Sequence, residues 1–587
     1  MKIFLKSIIV ISVTAAVLLP SSYAAKYQVI ESPTSTIHKY TYGKQQNNQG
    51  DFLISATDSY NLPIQFQYLT STDFDSIKAY AAANYLNSTV LTDLQDFNAL
   101  KAGTPTANDL QWAILYLKST YQNSPLYQKF YDTHVVLDHA GSLQDINIFD
   151  QPFTDGQLTH STVDFANGIT NDGWIYGNAS APSLPTNFTK SDNTVVTYWL
   201  QDFFTRGYVT TDQGATIHPV MPIETRFGGQ SAVLGMNDQM QGVGFVSTGI
   251  DASALAAIDN TTGGCSDPAI LKDVPFAACV WNYRSNLFKL SSVLWQFDSN
   301  GEVTSTTLLG DLINSVNVND TRTYKSYALA VNNNGVAVGF ANGWFYNNVT
   351  DPKVNEPRSF YAVIYKNGQV IDITPDHMKQ YDSKLYDINN QGIAVGQVNE
   401  YINGYQRTKF FYIDTKVDKP VMVFPKDFFS GSSSTARAIN NNGLVVGEGE
   451  VETHSDQSTT GVANSRRRHA FLYNLNDDSF TDLNALLSCS SPYSIVEARG
   501  INDNDEISAT ALMSVPRHDA KGAIVLDANG NQIMDDITKA VVLKPVAGGS
   551  VDSCGTGNSK LVRKGAGFFW LFLPLIGMLF YRRAKQN

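Results

Sequence analysis

Ile439-Asn440-Asn441-Asn442-Gly443-Leu444-Val445-Val446-Gly447 is followed by His469-Ala470-Phe471-Leu472-Tyr473 and, across Asn474-Leu475-Asn476-Asp477-Asp478, by Ser479-Phe480-Thr481-Asp482-Leu483. Each apolar run is too short for a helix. Each is bounded by Asn, Asp or Gly, residues that accept the left-handed backbone angles of tight turns. The stretch therefore reads as two hairpins, and four antiparallel strands in about 50–60 residues is the size of a propeller blade.

The first hairpin recurs. Its nine-residue pattern is an apolar residue, Asn, two polar residues, Gly, three mostly apolar residues and Gly, seen again at 331–339 (VNNNGVAVG) and 388–396 (INNQGIAVG). Weaker copies begin at Ile169, Met236 and Ile501, and a seventh at Gln46 lacks the first apolar residue and the last glycine. A second hairpin follows most copies, at 294–303, 362–373 and 523–534. The expected fold is all-β: a propeller of six or seven four-stranded blades over residues 25–545, whose closure leaves no long free edge. A stack of hairpins and a two-sheet sandwich are the alternatives.

Residues 72–135 break the pattern. Segments 75–86 and 108–121 read as helices, the second with Leu110, Ile114, Leu117 and Tyr121 along one face and Thr106 or Asn108 as its cap. They form a small α-helical insertion near the N-terminus, read as a packing subdomain.

The two ends give an address. Lys2 and Lys6 precede an apolar run from Ile8 to Leu19, and Ser22-Tyr23-Ala24 supplies small residues for cleavage, so 1–24 reads as a signal peptide. After a linker (546–564), Gly565 to Tyr581 is uncharged and is followed by Arg582, Arg583 and Lys585, a hydrophobic helix held by cations on the cytoplasmic side. Cys265, Cys279, Cys489 and Cys554 suggest two disulfides in an oxidising compartment; proximity favours Cys265 with Cys279 and Cys489 with Cys554.

Residues 439–483 resemble the HAF-type extracellular repeat, down to the His469–Tyr473 strand and the Asp482-Leu483 ending. The tail, with Gly565, Gly567, Arg582 and Arg583, resembles the GlyGly-CTERM sorting signal of Gram-negative bacteria. That resemblance implies signal peptidase, a rhombosortase-type protease and the type II secretion machinery as partners. Together the two resemble exported proteins of unknown function, which implies an address and a fold but no catalytic residues. The expected location is the cell envelope: anchored in the inner membrane facing the periplasm, or processed and sorted to the surface or medium.

Chemistry is sparse. The formal charge is −12, and both ends are basic, so the body is more acidic still and repels nucleic acid. No HExxH, GxSxG, P-loop or helix-opening GxGxxG motif occurs. His134 and His139, with Asp132 and Asp138, are read as polar surface ahead of a metal or acid–base site. The run from Asp527 to Asp535 has its glycine in the wrong place for a calcium loop and reads as a turn. No cofactor or metal ligand is assigned, although the acidic turns at Asp172, Asp238, Asp503 and Asp505 could hold calcium weakly. Trp174 and Trp344, at or just after repeat turns, are the candidate exposed ligand contacts, although a lone aromatic near a turn is ordinary. The leading functional expectation is a binding or interaction module for an unknown glycan or protein, leaning away from an enzyme. A secreted glycan-active hydrolase or lyase and a ligand-free structural envelope component are the alternatives.

Overall fold

The computed structural model describes residues 27–453 and 466–551. The signal peptide, Cys554, most of the linker and the C-terminal helix with Gly565, Gly567, Arg582 and Arg583 lie outside the described residues.

Seven antiparallel sheets form a ring, which decides between six blades and seven. The inner strands of blades 1 to 7 are His38–Gln46, Asp164–Ile169, Ser231–Met236, Ser326–Val331, Tyr381–Ile388, Ser434–Ile439 and Ser494–Ile501. Each inner strand contacts those of its two neighbours, including blade 7 against blade 1. The repeat turns join each inner strand to the second strand of its blade, so the weak copy at Gln46 is the turn of blade 1.

The repeat's second glycine has a steric cause. A Cβ on Gly339, Gly396 or Gly447 would lie 2.1, 2.0 or 1.9 Å from the carbonyl oxygen of Tyr327, Lys384 or Thr435 on the inner strand. That strand bulges opposite the glycine, as the register shift between Ala436 and Ala438 shows.

Closure uses an element that the repeat pattern did not contain. The outer strand of blade 7 is Tyr27–Glu31, paired with Met534–Pro545 from Tyr27 opposite Pro545 to Glu31 opposite Val541. The segment 523–534, expected as a blade hairpin, instead lies up to Ile533 in a loop held by isolated bridges between His518 and Ile524 and between Leu526 and Gln532, and only Met534 joins a blade strand. The rest has no role as a blade strand because the chain's own beginning fills that place.

The helical insertion leaves blade 1 after Ser59 and returns at Thr133, carrying helices Ser71–Asn84, Phe97–Lys101 and Ala107–Tyr121. The first starts earlier than the apolar pattern predicts, because Thr70 and Asp73 form a capping box. Thr106 caps the last by accepting from the Asp109 N–H. Phe74, Ile77, Leu110, Ile114 and Leu117 make a core of their own, as expected for a packing subdomain. A second helical insertion, unforeseen, spans 252–286 in blade 3 and holds the Cys265–Cys279 disulfide, with its Cα atoms 5.6 Å apart. Both insertions join second to third strands, so they lie on the face opposite the repeat turns. Among the described residues no helix is long and apolar enough to cross a membrane.

Candidate functional site

The seven repeat turns meet around one end of the central channel and bond to one another. Within a turn, Asn440 Oδ1 accepts the N–H groups of Asn442 and Leu444 at 3.1 and 2.9 Å, which fixes the side chain. Its Nδ2 is then free to donate to the carbonyl oxygen of Asn502 in the next blade at 3.0 Å. Equivalent amide bonds run from Asn47 to Thr170, Asn237 to Asn332, Asn332 to Asn389, Asn389 to Asn440 and Asn502 back to Asn47. A second tier joins the next residue of each turn: the Asn441 N–H donates to Asp503 Oδ1, and the Asp503 N–H to Asn48 Oδ1. At blade 2, Thr170 has no amide to give, and Asn171 Nδ2 reaches Asp238 Oδ1 at 3.4 Å instead.

Behind this ring the channel encloses about 250 Å³ and is lined by Lys44, Arg437, Arg499, Tyr386 and Asp387 among others. Three cations, Lys44, Arg437 and Arg499, share the channel with three carboxylates, Asp238, Asp387 and Asp503. Two of the cations are paired: Arg437 makes a forked contact with Glu448, its shortest bond 2.6 Å, and Arg499 lies 2.5 Å from Glu497. Burial works against the Arg437 charge, but the Glu448 carboxylate more than offsets it and holds the guanidinium protonated.

Lys44 is different. Among the described residues its ammonium has neither a hydrogen bond nor an ion pair. Its side chain is half-buried in the channel wall. Desolvation first, and then the neighbouring Arg499 charge, push its pKa down to about 8, with Glu497 opposing and Arg437 adding a little. Asp387, also on the channel wall, accepts from the Ile388 and Ile439 N–H groups, each at 2.9 Å, and burial raises its carboxyl to about 7.

The opposite face holds a cluster of histidines and carboxylates where the helical insertion returns to blade 1. His134 Nε2 lies 2.9 Å from Asp132 Oδ1, and His160 Nδ1 lies 3.4 Å from the same nitrogen. His38, at the start of the inner strand, touches Ser59 Oγ through Nδ1 (2.9 Å) and Asp145 through Nε2 (2.7 Å). Ser59–His38–Asp145 has the connectivity of a nucleophile, base and orienter. However, Ser59 is buried and its hydroxyl already donates to Asp132 Oδ1 at 2.6 Å, so no nucleophile is presented. Desolvation opposes charging His134, but its bond to Asp132 outweighs that and raises its pKa. Asp164, nearby at the start of blade 2, has a buried Oδ1 without a hydrogen-bond partner, and burial lifts its carboxyl to about 7.

The residues singled out from sequence scatter. Trp174, a candidate for exposure, is buried among Val209, Val233 and Trp295 because its side chain, just ahead of the strand Ile175–Ala179, packs between blades 2 and 3. Trp344 is half-buried, edge-on to Tyr324 at 5.7 Å, and its carbonyl accepts from His377. His134 and His139 take opposite ends of one strand: the first joins the cluster, while the exposed His139 lies 2.5 Å from Asp51. Asp527 Oδ1 accepts from Asn529 and Asn531 within its own turn. The Asp238, Asp503 and Asp505 carboxylates accept amide bonds from neighbouring turns. The pairing of Cys489 with Cys554 involves a residue outside those described. Lys44, Arg437, Arg499 and His38 were not legible as site residues, since each lies on a strand far in sequence from the others.

A family profile described as "Protein of unknown function (DUF3466)" matches residues 2–584. No curated protein matches. Similar solved structures include the β-propeller domain of the Trilobed protease from Pyrococcus furiosus, at 9% identity over 69% of this chain and 84% of that one, TM-score 0.30. An oligogalacturonate lyase from Vibrio parahaemolyticus matches at 10% identity over 70% and 85%, TM-score 0.30. The polysaccharide lyase Uly1 matches at 10% over 72% and 86%, TM-score 0.34. At such identities the likeness concerns the fold alone.

Proposed function

The chain belongs to that family of unknown function, and we propose that within it this propeller is an exported binding module that takes a small organic anion into its central channel. The observation that carries the reading is Lys44: an ammonium unpaired among the described residues, facing a channel whose two other cations, Arg437 and Arg499, are already matched by Glu448 and Glu497. Keeping a charge unpaired in a narrow channel costs stability, and a bound carboxylate would offset that cost. The channel volume of about 250 Å³ suits one sugar-acid unit. The N-terminal signal, the HAF-type repeats and the rhombosortase-type tail are part of the same reading and give the module its place in the envelope.

The test is calorimetric titration and thermal shift with galacturonate, glucuronate and neutral galactose. Binding of the acids but not of galactose, lost in Lys44→Met, is expected. No response of the wild-type protein to either acid would sink the proposal. Fractionation with intact mass measurement checks the address; a chain that keeps residues 1–24 in the cytoplasm would overturn export. A second reading, a secreted glycan-active hydrolase or lyase, is favoured by Asp164, a buried carboxyl raised to about 7 near His134. Turnover of an acidic oligosaccharide panel, abolished in Asp164→Asn, would support it over simple binding.

A further inference from the structure

We propose that His38, Asp132 and His134 form a binding site for a divalent transition-metal ion, with Zn²⁺ the best match to the donors. One ligand atom from each residue lies within 4.8 Å of the other two. Two imidazole nitrogens and a carboxylate oxygen are a common donor set for zinc, at about 2.0–2.2 Å from the metal. His160 offers a fourth donor. Its Nδ1 lies 3.4 Å from His134 Nε2, close to the roughly 3.3 Å that separates two nitrogens on one tetrahedral ion with bonds of about 2.0–2.1 Å.

The surroundings point the same way. Asp145 holds the far ring nitrogen of His38 at 2.7 Å, the carboxylate–histidine pairing that orients metal ligands. Asp145 and Asp150 add to the charge of Asp132, and among the described residues Asp164 Oδ1 is buried without a partner. Against these, the nearest lysine ammonium, that of Lys118, is 3.9 Å from Asp132. A divalent cation would compensate this excess, with the Ser59 hydroxyl rotating away from His38 and Asp132 as it enters. Because Asp132 and His134 bracket the point where the helical insertion rejoins blade 1, the ion would also staple that insertion to the ring.

The test uses full-length protein, equilibrated with Zn²⁺ or Co²⁺ and passed through a desalting column. Wild-type protein is expected to retain about one ion per chain and, with Co²⁺, to show the visible bands of a low-coordinate site. Chelation should lower its melting temperature. His134→Ala and Asp132→Asn should lose the ion and the effect of chelator, while His139→Ala, outside the cluster, keeps both. Wild-type protein that retains no metal and shows no Co²⁺ bands would overturn the proposal and leave a plain hydrogen-bonded network. Retention by the His134 and Asp132 variants equal to wild type would also overturn it, by placing the ion elsewhere. The wild-type spectrum decides even if a variant fails to fold.

Discussion

The side-chain amide of Asn502 donates to the carbonyl oxygen of Asn47 at 3.1 Å, joining the last blade to the first across 455 residues of chain. The same bond recurs at six of the seven blade junctions, broken only at blade 2, where Thr170 stands. One side chain thus does two jobs: its oxygen caps the turn, and its nitrogen clasps the neighbouring blade. That is why the repeat keeps Asn, where Asp or Ser would cap equally well but could not donate in the same way.

Asn502→Ala should destabilise the protein by about 2–4 kcal/mol. It leaves the N–H groups of Asn504 and Glu506 without their acceptor and takes one of two donors from the Asn47 carbonyl, which keeps the Gly50 N–H; each loss costs about 1–3 kcal/mol where buried, with partial relief by water. Asn502→Asp keeps the acceptor but turns a carboxylate oxygen onto the Asn47 carbonyl and the Glu506 carboxylate, so at neutral pH it should lose at least as much as alanine. Urea unfolding measures both. A loss below about 0.5 kcal/mol for alanine, the size of an ordinary surface change, would mean that the ring of amides does not hold the blades together.

Truncating the chain through Glu31 should open the propeller. The truncation removes the outer strand of blade 7, exposes the edge of Met534–Pro545 and strips Tyr27, 4% exposed, from the core that blades 6 and 7 share. Tyr27→Ala alone should cost about 3 kcal/mol. The truncated chain is expected to aggregate and unfold in more than one step. A single cooperative transition at the wild-type midpoint would show that closure by the N-terminal strand contributes nothing.

The blades were legible because their turns are local. Asn-Asn-Asn-Gly at 332–335 and 440–443 writes both the backbone angles and the polar caps into four adjacent residues. The weak copies are weak for a visible reason: Met240 and Asp505 occupy the glycine position at φ of 58° and 60°, so the turn survives without its marker. Closure was not legible, since pairing of Tyr27–Glu31 with the chain's far end has no local signature. The channel and the histidine cluster were hidden for the same reason. His134 stood out only through its neighbour Asp132, while His38, Ser59 and Asp145 joined them through blade geometry. Trp174 misled because a residue beside a turn can still point between blades.

Stability should fall as pH rises toward 7, and Asp387 should account for part of the slope. Its folded carboxyl is raised by burial to about 7, against an ordinary value of 3.8. Between those values the folded state binds a proton that the unfolded chain lacks, so the contribution is full below about 4 and is lost as pH rises through about 7. In Asp387→Asn one of the two bonds to Ile388 and Ile439 is lost at every pH, but the slope goes with the carboxyl. The stability gap between wild type and variant should therefore narrow from about pH 4 to about pH 8. A gap that stays constant or widens would mean that Asp387 is ionised throughout.

Lys44 titrates with the opposite sign, and that ties stability to binding. Its folded value of about 8 lies below the ordinary 10.5 because burial and Arg499 disfavour the ammonium. Between those values the unfolded chain holds a proton that the folded one has released, so stability should rise with pH from about 8 to about 10.5. At neutral pH the folded protein carries the charge at a cost. Lys44→Met should then be more stable than wild type near pH 7, with the advantage gone once the unfolded chain is also neutral. A bound carboxylate favours the ammonium and reverses the shift, so binding above about pH 8 must take up a proton. Affinity for galacturonate should be flat below about pH 7 and fall above 8 by up to about tenfold per unit, with proton uptake visible as a buffer-dependent heat of binding. A methionine variant no more stable than wild type would show that the ammonium is well accommodated. If, in addition, affinity did not change between about pH 6 and pH 9.5, the carboxylate would not be resting on Lys44.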